Sequence, residues 1–229
     1  MKIKIAIDGP AASGKSTTAR NLAQNLGYLY IDTGAMYRAL TLAVLRNNID
    51  IHDEKKIEFI ARQSRIELVQ KQNGIQTLLN GENVSDAIRS PKINEIISII
   101  SAYPKIRKIM VEKQRQLIKA GGIVMDGRDI GTVVLKDAEV KIFMKAELKK
   151  RAERRVKEFA SKGINLSFED IKNEIKKRDQ IDSSRTESPL KPAPDAHIID
   201  TSDLSIEQQT NKCLLLVQRY LSTGSLILC

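Results

Sequence analysis

Aromatic residues make up only 4% of this 229-residue chain, and cysteine and histidine occur twice each. Each scarcity excludes something. So few rings leave no stacking platform for single-stranded nucleic acid. Cys213 and Cys229 sit near the C-terminal end without metal-ligand spacing, which argues against a disulfide framework or a zinc site and for a reducing compartment. Cys229 is also the final residue, whereas a prenylation box needs its cysteine four from the end. With only His52 and His197 available, no Ser-His-Asp or Cys-His constellation suggests itself. Long apolar runs are missing too, none approaching the roughly 20 residues that span a bilayer. The start, Met1-Lys2-Ile3-Lys4, meets Asp8 and Gly9 too soon for a signal-peptide core. A cytoplasmic location and no membrane partner are the expectation.

What the chain has in excess is positive charge, with 38 Lys and Arg against 28 Asp and Glu. A balance of +10 suits nucleic acid, a membrane surface or small polyanionic substrates. Here the basic residues are spread widely. A solvated basic surface accounts for that spread, and a nucleotide site accounts for part of the excess. No nucleic-acid partner is expected. The length suits one domain, with room for a small inserted subdomain.

Along the chain, residues 2–8 (KIKIAID) alternate and then turn apolar, as a strand entering a core does. Residues 16–26 follow with helical periodicity and stop at Gly27. A short strand over 28–31 leads to helices over 36–45 and 54–62. The texture then changes between residues 64 and 90. Strands at 66–69 and 75–79 flank Gln72-Asn73-Gly74, a hairpin signal, and a second turn at 80–83 precedes an extended run over 84–88. Helices return over 91–102 and 104–120. Short strands at 123–126, 140–144 and 197–200 are separated by charged helices at 146–161 and 167–180, and a last helix covers 205–221. Strands alternating with helices predict a doubly wound, parallel α/β sheet with a β-rich insertion.

The first strand and first helix are joined by Gly9-Pro10-Ala11-Ala12-Ser13-Gly14-Lys15-Ser16-Thr17, which fits the Walker A pattern in the setting that pattern requires. Glycines let backbone N–H groups turn toward phosphate oxygens, and the helix N-terminus adds its positive dipole. Lys15 supplies a charge to the β- and γ-phosphates of a nucleoside triphosphate. Ser16 can ligate Mg²⁺ directly, with Asp32 reaching the ion through a water. The guanine signature Asn-Lys-x-Asp is missing, since Asn211-Lys212 runs on to Cys213-Leu214. Residues 123–126 end like a Walker B strand, yet Gly127-Arg128-Asp129 follows where a motor ATPase usually has a glutamate. A small-molecule kinase fits best.

Three further segments carry chemistry. Asp32-Thr33-Gly34-Ala35-Met36-Tyr37-Arg38 follows the second strand, where open α/β sheets bind ligands. Asp126-Gly127-Arg128-Asp129 ends another strand on the same edge, and Arg178 to Arg185 adds two more carboxylates and two arginines. Arginines beside a phosphate loop suit a phosphate-bearing acceptor. A nucleic-acid-binding P-loop regulator, and kinases of shikimate or dephospho-coenzyme A, stay open on these residues alone.

Taken together, IDGPAASGKST (7–17), DTGAMYR (32–38), DGRDIGTVV (126–134), KIFMKA (141–146), RDQIDSSR (178–185) and APDAHIIDTSDLSI (193–206) resemble the bacterial cytidylate kinases over essentially the full chain. Adenylate and thymidylate kinases share the P-loop without the insertion or the DGRD arrangement. The resemblance implies a P-loop fold of three α/β/α layers on a five-stranded parallel sheet. It places an acceptor-binding insertion near 61–103 and a helical lid near 147–185. It implies phosphorylation of CMP and dCMP by ATP with Mg²⁺, by a monomer. Thr33, Arg38, Arg128 and Arg185 then surround the acceptor phosphate. Ser98, Arg107 and Asp129 read the base, and Arg178 and Asp182 meet the sugar. Lys15, Arg128, Arg178 and Arg185 form the catalytic set, and Gly9 to Thr17 with Arg154 hold ATP. Thr33 stands where many relatives have serine, which keeps the hydroxyl. Among the lid arginines Arg151, Arg154 and Arg155, the family pattern is looser.

Overall fold

The computed structural model describes residues 2–71, 74–118, 121–161 and 163–224. In chain order the elements are β1 (Lys4–Asp8), α1 (Lys15–Leu26), β2 (Leu29–Asp32), α2 (Thr33–Arg46), α3 (Glu54–Gln63), β3 (Ile66–Lys71), β4 (Gly74–Leu79) and β5 (Glu82–Asn83). Then come α4 (Pro91–Ile100), α5 (Pro104–Gln116), β6 (Ile123–Gly127), β7 (Val140–Lys145), α6 (Leu148–Ala160), α7 (Phe168–Ser184), β8 (His197–Asp200) and α8 (Ile206–Thr223). The chain divides into two compact units, one of Met1–Ile31 with Lys119–Cys229, the other of Asp32–Ile118.

The first unit is built on a five-stranded parallel sheet in the order β2-β6-β1-β7-β8. β1 pairs in parallel with both β6 and β7, and β7 with β8. Ile5, Ala6 and Ile7 of β1 are wholly buried, as are Val124 and Met125 of β6 and Val140 and Met144 of β7. Continuous apolar runs of this kind are what a strand covered on both faces needs. β8, at the edge of the sheet among the described residues, reverts to alternation, with Ile199 buried and Ile198 exposed. α1 and α8 pack together and against the strands. β1 leads toward β2 on one side and β7 toward β8 on the other. The carboxyl ends of β1 and β7 therefore flank the point where the winding reverses, the usual ligand crevice of such sheets. Helices α6 and α7 share a small core of Ala152, Phe159, Ile171 and Ile175, with Ala12 packed at its margin.

In the second unit, α2 to α5 enclose a core that includes Met36, Leu40, Val44, Ile57, Ile97 and Ile106. Beside them lies a three-stranded antiparallel sheet, β3-β4-β5. β3 and β4 pair from Ile66↔Leu79 to Lys71↔Gly74, in line with a hairpin; the turn residues Gln72 and Asn73 fall outside the described part. The expected extended run over 84–88 does not form. β5 is two residues long, because Ser85 Oγ accepts the Thr77 amide (3.0 Å) while Asn83 Oδ1 accepts from Ser85. Val84 N still donates to the Thr77 carbonyl (2.9 Å), but the Ser85 hydroxyl takes the Thr77 amide in place of a backbone acceptor, and a 3₁₀ turn at Ala87–Arg89 follows.

Helix limits also differ from the periodicity. α2 starts three residues early, at Thr33, since Asp32 Oδ1 accepts the Ala35 amide (2.9 Å) as an N-cap. α7 runs four residues past 180, carried on by the buried ion pairs of Asp182. α5 ends at Gln116, and Lys119 and Ala120 lie outside the described residues, as does the apolar tail over 225–229.

Candidate active site

The phosphate loop leaves β1 at Gly9. A side chain there would collide with the carbonyl oxygen of Met144 on β7, so only glycine lets the loop pass. Ala12 sits in the left-handed region (φ 58°), where a non-glycine residue is strained. At Gly14, φ is 91° and a Cβ would run into Gln209 Oε1. Gln209 is itself wholly buried, accepting from Thr18 Oγ1 (3.2 Å) and donating to the Leu204 carbonyl (3.0 Å). Gly14 is also the N-cap of α1, and the first turn has neither a side-chain cap nor an acidic residue. Its amides are presented to an outside acceptor, the arrangement that binds phosphate.

Lys15 is buried on this turn, its Nζ 3.4 Å from the Pro10 carbonyl. Thr17, the next position but one, is exposed. Ser16 Oγ donates to Asp126 Oδ2 (2.7 Å), and Tyr30 donates to the other oxygen (2.7 Å). Asp126, at the end of β6, thus stands where a Walker B carboxylate would stand. Its signal in the sequence is the apolar run 123–126 ending in aspartate. Asp32 spends one oxygen capping α2.

Asp182 gathers three arginines. Arg128 Nε lies 2.9 Å from Oδ2, Arg185 Nη2 pairs with Oδ1, and Arg178 Nε is 3.9 Å from Oδ2. The carboxylate is 1% exposed. Burial would raise its pKa, but Arg128, Arg178 and Arg185 outweigh burial and hold it below the usual range. Arg178 is pushed down to about 10, first by burial and then by the charge of Arg128. Three guanidiniums converge on this one buried carboxylate, with Asp179 and Glu174 also acting on the cluster, and such a concentration of arginines suits an anion.

Arg151, Arg154 and Arg155 of α6 are all engaged within this unit. Arg151, nearly buried, pairs with Asp179 (2.6 Å) and donates to the carbonyls of Ala146 (2.9 Å) and Ala11 (3.3 Å). It thereby joins α6, α7 and the phosphate loop. Arg154 donates to Thr201 and to the Ser202 carbonyl (3.4 Å), and Thr201 in turn donates to the Ser13 carbonyl (2.8 Å). Arg155 pairs with Glu158 (2.8 Å) over the Phe159 ring.

Asp129, 5% exposed, precedes a single π-helical turn at Ile130–Val134. Its first amides are held by a carboxylate with no sequence signal. Asp8 Oδ1 accepts from Ile130 N and Oδ2 from Gly131 N, both at 2.8 Å. Burial pushes Asp8 up to about 7, against those two N–H donors.

In the second unit, Thr33 opens α2 and is buried, and Arg38 donates to Asn94 on α4 and to the Ile88 carbonyl (3.5 Å). Ser98 is buried on α4. Arg107 on α5 is 3% exposed, donates to the Ser101 carbonyl (3.1 Å) and lies 5.7 Å from the Tyr37 ring centre. Asn94 is a further polar contact that periodicity could only class as one more helix residue.

Among the described residues, no group of three or more His, Cys, Asp or Glu could hold a metal ion. Mg²⁺ does not need one, because it keeps waters and takes phosphate oxygens with one or two protein donors. The Ser16 hydroxyl and Asp126 carboxylate, both hard oxygen donors at one point, fit that requirement.

An uncapped helix start behind a glycine-shaped loop, at the reversal point of a parallel sheet, defines a P-loop nucleotide-phosphate-binding protein. Within that class, the sequence model of the cytidylate kinase family matches residues 5–219, and the chain belongs to this family. It is similar to the cytidylate kinase of Anoxybacillus flavithermus, with 50% identity over 95% of this chain and 96% of that one. The cytidylate kinase of Caldanaerobacter subterraneus is 51% identical over 91% of each chain. That of Bacillus cytotoxicus is 50% identical over 96% of this chain and 98% of its own.

Proposed function

We propose that this chain phosphorylates CMP and dCMP to CDP and dCDP, by direct in-line transfer of the γ-phosphoryl group of ATP. What supports it most directly, in a member of this family, is the cluster of three guanidiniums on the buried Asp182 carboxylate. A phosphate monoester acceptor is largely dianionic at pH 7 and needs no general base. The obstacle is bringing two polyanions together, and clustered guanidinium charge lowers it.

In this reading the α1 amides and Lys15 hold the donor phosphates, with Gly9 to Thr17 as the cradle and Arg154 on the donor side. Ser16 and Asp126 would hold Mg²⁺, with Asp32 contributing through a water; the ion would neutralise phosphate charge. Thr33, Arg38, Arg128 and Arg185 bind the acceptor phosphate, and Arg178 and Asp182 meet the sugar. Lys15, Arg128, Arg178 and Arg185 stabilise the charge of the transferring group. Asp129 accepts from the cytosine N4 amine while Ser98 and Arg107 donate to N3 and O2. Uracil would set a carbonyl against that carboxylate, a buried mismatch costing about 1–3 kcal/mol. Residues 61–103 serve the acceptor and 147–185 act as a lid that excludes water. The enzyme works as a cytoplasmic monomer.

An ADP-release assay with CMP, dCMP, UMP, AMP and shikimate tests the proposal. Turnover is expected with CMP and dCMP well above the rest. Equal use of UMP would overturn the base-reading roles. Turnover confined to AMP or shikimate, or none with any acceptor, would overturn the reaction.

A further inference from the structure

Asp8 has no place in the reaction just described, yet its setting is unusual. It closes β1, is 4% exposed, and stands opposite Gly127 in the β1–β6 register. Both its oxygens accept backbone amides, from Ile130 and Gly131. These amides open the π-helical turn, whose wide bonds run from Val134 N to Asp129 O (3.3 Å) and from Leu135 N to Ile130 O (2.7 Å).

A π turn is rare and is seldom stable without outside support, and the first amides of any helical turn lack an internal acceptor. An ordinary cap would come from the neighbouring residue. Here it comes from a strand 122 residues earlier in the chain. The turn therefore takes its position from the end of β1, one residue before the phosphate loop begins. Arg128 and Asp129 lie between the β6 strand end and the turn that Asp8 holds, so both ends of that short segment are anchored. Burial of the carboxylate is unfavourable, and it persists because two well-aligned N–H groups over-determine it.

We propose that Asp8 is a positioning residue: by holding the Ile130 and Gly131 amides it aims Arg128 and Asp129, and so governs acceptor binding and base choice without touching the acceptor. This rests on the CMP-kinase reading above. Asn at position 8 keeps the size and turns one acceptor oxygen into a donor facing an N–H. Asp8→Ser removes one of the two acceptor oxygens altogether and leaves a single hydroxyl for the two amides.

Steady-state kinetics of wild type, Asp8→Asn and Asp8→Ser, with CMP, UMP and ATP each varied, test this. Wild type should prefer CMP; if it does not phosphorylate CMP, the underlying reading fails. Given that activity, Asp8→Asn should raise the KM for CMP roughly tenfold and shrink the CMP-to-UMP preference, with the KM for ATP within about twofold of wild type. A general loss of structure would weaken both substrates together. Unchanged constants, or parallel weakening of CMP and ATP, would overturn the proposal. Should Asp8→Asn fail to fold, Asp8→Ser is expected to give the same split, and the same two outcomes in it would sink the idea.

Discussion

Ser16 Oγ donates to Asp126 Oδ2 across 2.7 Å, joining the first turn of α1 to the end of β6. The two residues lie 110 positions apart, and the pairing exists because β6 neighbours β1 in the sheet. A hydroxyl and a carboxylate already at hydrogen-bond distance form a preorganised pair of oxygen donors. Tyr30 fixes the remaining carboxylate oxygen, so Asp126 has little freedom to turn away.

Asp126→Asn should therefore lower kcat by about 100-fold or more, the scale of losing one preorganised electrostatic group. The Mg²⁺ concentration for half-maximal rate should rise. Initial rates over a Mg²⁺ series at saturating ATP check this; an unchanged Mg²⁺ dependence would remove Asp126 from the metal site.

Gly14→Ala meets two obstacles, a backbone at φ 91° and the Gln209 side chain. Stability should drop by roughly 1–3 kcal/mol, and ATP affinity should fall with it. Adding Gln209→Ala ought to recover only the steric part, because the backbone strain stays. Urea unfolding of the single and double variants separates the two; full recovery in the double variant would show that φ at this position does not matter.

Lys15→Ala should lower turnover with every acceptor by about 1,000-fold, since in the proposed reaction this buried ammonium holds the donor phosphates. Asp129→Ala should instead leave appreciable turnover and bring the kcat/KM values for CMP and UMP closer together. Measuring both variants against both acceptors distinguishes a charge needed for chemistry from a group that reads a base.

Asp8 supplies a pH signature. Its folded pKa is raised from 3.8 to about 7, by burial first, then opposed by the Gly131 and Ile130 amides; Asp129 adds to the rise and Lys15 opposes it. Between those values the native state holds a proton that the unfolded chain has released. Stability from this group must then fall as pH rises toward 7 and level off above it, by at most about 1.4 kcal/mol per pH unit. Asp182 acts in the opposite sense: depressed by its arginines despite burial, it stabilises above the ordinary carboxylate range and loses that contribution in acid. Comparing Asp8→Asn with wild type by urea unfolding at pH 5, 6, 7 and 8 isolates the first effect. Wild type should lose ground to the variant up to pH 7 and not beyond. A constant difference would mean that Asp8 does not titrate in this range.

Local pattern made much of the fold legible. The alternation in residues 2–8, the Walker A spacing and the return of helical periodicity placed a strand, loop and helix, because each depends on near neighbours in the chain. The apolar runs at 123–126 and 140–144 marked strands buried on both faces, and Gly74 marked a hairpin. Helix ends were less legible. Asp32 as a cap and Ser85 as a rival to the β4–β5 ladder act through single side-chain bonds that hydrophobic periodicity does not register. At the site, the motif segments could be named from their residue types, and family resemblance sorted them into roles.

Residue order alone established a phosphate-binding loop, a parallel α/β sheet, an antiparallel insertion and membership of the cytidylate kinase family. Folding was needed to see that Asp126 meets Ser16, that Asp182 collects three arginines, and that Asp8 anchors the turn after Asp129. The physical reason is one of range. Periodicity and turn chemistry operate over a few residues, whereas the Asp126 and Asp8 carboxylates find partners more than a hundred residues away, on the first turn of α1 and on the π-helical turn, which come within reach because β1 and β6 lie side by side in the sheet.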